Sequence, residues 1–144
     1  MKKISLITCI AFIVSVVGCS DKKEPDTLNG KYTGVFYYSG PTPATLNFEA
    51  ILPHPASITF SNNNYTSVGN NDHYPAGGSG TFKFLSENSK QILFEDKNVW
   101  TADFDWNLVL NGEYKYELKK DSLILSKKIN NTSNSYVYRL KRVR

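Results

Sequence analysis

Thiols and imidazoles are nearly absent from this chain, with two cysteines and two histidines in 144 residues. Cys9 and Cys19 both fall near the start, so nothing downstream can form a disulfide, a thiolate nucleophile or a cysteine metal site. His54 lies between Pro53 and Pro55, and His73 beside Asp72, in no His-x-His or His-Glu-x-x-His arrangement. Both are read as loop histidines, and neither metal nor cofactor is expected. Charge of one sign is also scarce. With 17 Lys plus Arg against 13 Asp plus Glu, the net +4 is too small to point to a nucleic-acid partner. Helical periodicity is missing throughout the part of the chain that carries the fold.

One long apolar run is present, Ile4 to Val17, preceded by Lys2 and Lys3. As a helix it would span about 21 Å at ~1.5 Å per residue, short of a ~30 Å hydrocarbon core. A signal peptide is therefore expected rather than a membrane span. Val16-Val17-Gly18-Cys19 closes the run and resembles the lipobox of bacterial lipoproteins. That resemblance implies that residues 1–18 are removed and that the Cys19 thiol carries the lipid. Residues 19–27 then form a lipidated cysteine and a flexible tether, since Ser20 to Asp26 is polar, charged and broken by Pro25. Residues 28–144 have the length of a single domain.

From Leu28 onward apolar and polar residues alternate with period two, between clusters of Gly, Asn, Pro and Ser. Tyr32, Gly34, Phe36 and Tyr38 share one face of a first strand, and Leu46, Phe48, Ala50 and Leu52 one face of a second. Further strands are expected at Ser57 to Phe60, Tyr65 to Val68, Thr81 to Leu85, Gln91 to Glu95, Leu123 to Lys127 and Tyr136 to Val143. Another is expected over Trp100 to Leu110, with Asn111-Gly112 supplying a type I′ turn that pairs Asp105 to Leu110 with Glu113 to Leu118. The longest irregular stretch is Gly69 to Gly80. The fold class is all-β: an antiparallel meander of eight to ten strands, closed into a barrel that leaves no edge exposed, or alternatively an open sandwich.

Several segments together resemble the small lipocalin-like lipoproteins of Bacteroidetes envelopes. They are the lipobox, Asn29-Gly30-Lys31-Tyr32, Trp100 to Trp106, Leu110-Asn111-Gly112-Glu113-Tyr114 and Tyr138-Arg139-Leu140-Lys141-Arg142. The resemblance implies a lipocalin-like barrel held at the outer membrane through the lipid on Cys19, facing either side. Lipocalins have Gly-x-Trp on the first strand where this chain has Tyr32, and a late arginine that packs over that ring and closes the barrel. Parity selects Arg142 for that role, because it continues the face of Tyr136, Tyr138 and Leu140 whereas Arg139 does not. The stretch after Cys19 also resembles the signals that send such lipoproteins to the cell surface, although Lys22 and Lys23 interrupt it. Asp26-Thr27-Leu28 and Asp121-Ser122-Leu123 resemble O-glycosylation acceptors of this phylum; Ser122 has an alternative reading as a turn residue.

Among candidate chemical groups, Asp103 and Asp105 would share one strand face with Cα atoms about 7 Å apart, near the spacing of paired glycosidase carboxylates. Trp100, Ala102, Phe104, Trp106, Leu108 and Leu110 would occupy the buried face, leaving these acids in solvent and without a hydrolytic role. Gly77-Gly78-Ser79-Gly80-Thr81 lacks the final glycine and the helix of a nucleophile elbow and reads as a flexible turn. Of Tyr37 and Tyr38, one must face away from the core. Residues 115–144 carry nine Lys plus Arg and two Asp plus Glu, whereas residues 20–114 carry six and eleven. The basic last strands are expected to lie beside acidic earlier ones and largely cancel, the alternative being a basic face towards anionic lipid or polysaccharide.

These readings point to a non-enzymatic lipoprotein with two functional alternatives. The leading one is a carrier of a small apolar or glycan-like ligand; the alternative is a protein-interaction module, such as an envelope-complex subunit or an inhibitor of an exogenous hydrolase. A carrier needs a cavity left open by small inward side chains, and an interaction module needs a filled core with an apolar outer patch.

Overall fold

A computed structural model describes residues 27–41, 52–70, 73–86, 88–102, 105–129 and 132–144. Cys19, the signal peptide, most of the tether, Asp103 and all but Leu52 of the expected second strand lie outside the described residues. Eight strands form a closed antiparallel barrel in sequence order. They are β1 (Gly30–Ser39), β2 (His54–Ser61), β3 (Asn64–Val68), β4 (Gly78–Ser86), β5 (Gln91–Asp96), β6 (Gly112–Lys119), β7 (Ser122–Lys128) and β8 (Ser135–Arg142). Each strand pairs with its sequence neighbours, and β1 pairs with β8 from Tyr32↔Arg142 to Ser39↔Ser135, which leaves no free edge.

Alternation builds the strands because one face of each is taken out of water. In β2 the inward residues are His54, Ala56, Ile58 and Phe60, and in β7 Leu123 and Leu125. Tyr38 turns inward and donates its hydroxyl hydrogen to Pro41 O at 2.8 Å. Tyr37 faces out, with the Arg139 guanidinium 5.9 Å from its ring centre. The inward residues are large. Ring contacts run from Phe60 to Phe94 (6.3 Å), to Tyr114 (5.5 Å), to Tyr138 (6.4 Å) and to Phe36 (4.7 Å), so they cross between strands that are not neighbours in the sheet. Aromatic side chains therefore pack against one another across the middle of the barrel.

The two ends of the barrel differ. One carries the β2–β3, β4–β5 and β6–β7 turns, together with Thr27 to Asn29, which lead into β1, and the last residues of the chain. The other carries the longer connections 40–53, 69–77, 97–111 and 129–134.

Two segments depart from what their sequences predict. Trp100 to Leu110 is not a strand among its described residues: a 3-10 turn spans Trp106–Leu108, and Asn111-Gly112 makes no hairpin with what precedes it. The sheet partner of β6 on that side is β5, with Phe94 opposite Gly112. Gly78, Ser79, Gly80 and Thr81 are likewise no flexible turn; they begin β4 and all pair with β3, and Gly80 and Thr81 pair with β5 as well.

Candidate functional site at the loop-bearing end

The 97–111 connection is folded down over the barrel mouth, and Asp96, the last residue of β5, starts it. One carboxylate oxygen accepts the Ser79 N–H at 3.0 Å and lies 3.5 Å from the Tyr65 hydroxyl. The other accepts the Asn98 N–H at 3.2 Å and the Trp100 indole N–H at 2.6 Å. Asp105 caps the 3-10 turn, accepting the Asn107 N–H at 2.9 Å. It therefore does not stand on a strand face, and the parity that would have paired it with Asp103 does not apply.

Leu108, Val109 and Leu110 are buried in succession and seal the mouth. Backbone groups hold them there: Ala76 N–H donates to Leu108 O at 3.0 Å, and Gly77 bridges Val109 in parallel. Side chains from inside the barrel complete the attachment. The Tyr65 hydroxyl donates to Leu110 O, the Tyr114 hydroxyl to Val109 O at 3.4 Å, and Lys127 Nζ to Asn111 O at 2.8 Å. Lys127 continues the inward face of Leu123 and Leu125 and places its ammonium 5.7 Å from the Tyr114 ring centre. Burial lowers its pKa, offset in part by Asp105.

Burial also raises the pKa of Tyr65, Tyr114, Tyr136 and Tyr138, that of Tyr136 to about 12. These phenols stay protonated at neutral pH. The Tyr138 hydroxyl, like the Ser67 hydroxyl beside it, is enclosed without a hydrogen bond of normal geometry. An unpaired buried hydroxyl costs about 1–3 kcal/mol, so Tyr138→Phe is expected to raise unfolding stability by about 1 kcal/mol in a urea titration. A loss of that size would instead reveal a polar occupant bonded to the hydroxyl.

His54 is no loop histidine. It opens β2, is 8% exposed, and stacks on Tyr74 with ring centres 5.3 Å apart. His73 does lie in a connection, in the left-handed region at φ 60°. No group of three or more His, Cys, Asp or Glu residues suited to a metal occurs among the described residues.

Apolar side chains remain outside the seal. Val99 is 99% exposed, Trp106 51% and Val68 58%, all at the loop-bearing end. The exposure of Trp106 overturns its expected place in the core; in the 3-10 turn only Leu108 is buried.

At the opposite end Tyr32 and Arg142 face each other across β1 and β8. The Arg142 guanidinium runs along Gly30, with Nε 3.4 Å from where a side chain at that glycine would begin. The Tyr32 ring packs edge-on against Phe60 at 5.6 Å. Burial raises its pKa, and the charge of Arg142 opposes that rise. Ser122 begins β7 and is half-buried. Nearby, a cleft of about 550 Å³ is lined by Thr27, Leu28, Asn29, Asn62, Asn63, Phe82, Lys83 and Phe84.

Neither protein-family models, nor curated proteins, nor solved structures yield a match to this chain.

Proposed function

We propose that this protein is a lipid-anchored, non-enzymatic envelope lipoprotein whose barrel acts as a protein-interaction module. The observation that carries the second half of this reading is the filled interior: rings from β1, β2, β5, β6 and β8 touch across the space a carried ligand would need. Val99 and Trp106 at the loop-bearing end supply the apolar surface that such a module presents. The first half rests on the lipobox resemblance at Val16 to Cys19. It is extended by the likeness to Bacteroidetes lipocalin-like lipoproteins, which implies the outer membrane. The absence of an enzyme role is part of the proposal: Asp105 caps a turn, and Asp96 is occupied by backbone and indole donors.

A second reading is favoured by the cleft beside Thr27. The amides of Asn29, Asn62 and Asn63 stand there with Lys83, Phe82 and Phe84, a polar rim over aromatic faces that suits a glycan-like ligand. Native mass spectrometry of the protein purified from its own envelope separates the two readings. A protein partner, lost on Val99→Asp with Trp106→Asp, is the expected result. A stoichiometric small molecule, lost on Phe84→Ala and retained in the Val99/Trp106 variant, would replace the interaction module by the second reading. Cys19→Ala is expected to abolish acyl labelling and membrane retention; persistence of both would overturn the anchor.

A further inference from the structure

The expected cancellation of charge between late basic and early acidic strands holds where β6 and β7 follow the acidic β5, but it does not reach β8. β8, the most basic strand, lies between β1 and β7. The five consecutive strands β7, β8, β1, β2 and β3 contain no Asp or Glu at all. The acidic residues of the strands belong instead to β5 and β6, with Asp105 in the connection between them.

Cations also gather at one end. Lys31, Lys119, Lys120, Lys141, Arg142 and Arg144 are all exposed at the tight-turn end. The strand ends hold them there: Arg142 N–H donates to Asp121 O at 2.7 Å, and Val143 N–H to Lys31 O at 2.8 Å. Two described carboxylates stand among them. Glu117 faces Lys119 at 3.5 Å, and Asp121 faces Arg144 at 2.7 Å. The Asp121 carboxyl is held below its ordinary pKa by Arg144 first, then by Arg142 and Lys141. Among the described residues Lys31, Lys120, Lys141 and Arg142 have no carboxylate partner within salt-bridge distance. Glu87, in the β4–β5 turn, lies outside the described residues.

The chain enters the barrel at this same end, through Thr27 to Gly30. Residues 19–27, fully extended at ~3.3–3.6 Å each, hold the barrel within about 30 Å of an anchor at Cys19. A face of unpaired Lys and Arg on a tether of that length would lie where anionic headgroups attract each cation.

We infer that the tight-turn end, through Lys31, Lys120, Lys141 and Arg142, is an electrostatic docking face for anionic phospholipid headgroups. Docking sets the barrel upright, with the 97–111 connection and its exposed Val99 and Trp106 directed away from the bilayer. It rests on the lipoprotein reading for its biological setting, while the attraction itself does not require the lipid.

The test uses the chain from Ser20 onward, which contains every strand of the closed barrel and lacks both the signal sequence and Cys19, with circular dichroism to confirm folding. Its partition onto phosphatidylglycerol vesicles and onto phosphatidylcholine vesicles is measured by co-sedimentation at low and high salt. Binding to the anionic vesicles alone, weakened by salt, is expected. Each neutralisation lowers it roughly fivefold, so Lys31→Gln, Lys120→Asn and Lys141→Gln combined lower it on the order of a hundredfold. Lys97→Gln with Lys128→Gln, at the other end, changes it by less than about threefold. Equal losses in the two variants, or equal partition onto both vesicle types, would overturn the docking face. So would an anionic polysaccharide that binds the wild-type chain while phosphatidylglycerol vesicles do not. Acyl labelling of Cys19 in the full chain reports on the anchor separately, so the two failures are distinguishable.

Discussion

Gly34→Ala is expected to destabilise the barrel by on the order of 4 kcal/mol, although it adds a single methyl group. Gly34 sits opposite Leu140 on the seam where β1 and β8 close the sheet. A Cβ at that position would lie 2.1 Å from the backbone carbonyl oxygen of Arg139 and 3.0 Å from its carbonyl carbon. No rotamer relieves such a contact, because the obstructing atoms are backbone; the seam itself must part. The reduced freedom of alanine in the unfolded chain would favour folding by only about 0.4–1 kcal/mol. Thr33→Ala, one residue away, is expected to change stability by less than about 1 kcal/mol. Urea titrations of the two variants measure the difference, and a Gly34→Ala loss below 1 kcal/mol would mean that β1 and β8 approach less closely than described.

The seam shows why much of the barrel was legible in the sequence. Tyr32, Phe36 and Tyr38, and likewise Tyr136, Tyr138 and Leu140, recur at every second position because each strand buries one face, and burial leaves a pattern in residue type. Short turns between such strands imply sequential antiparallel pairing, and sequential pairing of eight strands closes readily. Over Trp100 to Leu110 the same pattern points to a strand that the described residues do not form, for the same physical reason. Trp106, Leu108 and Leu110 alternate as a strand would, but a segment folded over a barrel mouth also buries apolar residues, without obeying a period. Val109, buried between two buried leucines, was the sign that one-sided burial did not hold. Asn111-Gly112 did provide positive φ, +85° at Gly112, but it serves the start of β6 rather than a hairpin.

The residues of the candidate site were harder to read. Asp96 looks from the sequence like the polar end of a strand, and nothing local reveals that Ser79, Asn98 and Trp100 converge on it. His54, flanked by prolines, carries the composition of a loop, yet it pairs opposite Phe36 of β1 and its ring stacks on Tyr74. The charge division between residues 20–114 and 115–144 was visible, but whether it cancels depends on which strands become neighbours. Closure places β1, with Lys31 as its one charged residue, beside β8. The acids that might have neutralised β8 are therefore elsewhere in the sheet.

Asp96→Ala is expected to cost about 3 kcal/mol and to release the connection that seals the mouth. The carboxylate takes two backbone N–H groups and an indole N–H, and hydrogen bonds to a charged acceptor are worth about 1.5–3 kcal/mol each before solvent screening at this half-exposed site reduces them. The surroundings are shaped for it. Gly78 adopts φ +131°, and a Cβ there would stand 2.7 Å from the Asp96 oxygen, so the glycine makes room for the carboxylate. Asp96→Asn keeps one acceptor oxygen and is expected to lose about half as much. Because Leu108, Val109 and Leu110 are attached independently through Tyr65, Ala76, Gly77 and Tyr114, the first effect is local opening of residues 97–107 rather than loss of the barrel. Limited proteolysis is then expected to cut within that stretch well below the unfolding midpoint, with Trp100 fluorescence moving to the red as the indole loses its partner. Unchanged cleavage, together with a stability loss under 1 kcal/mol, would show that the connection is held by its apolar plug alone and that Asp96 does not anchor it.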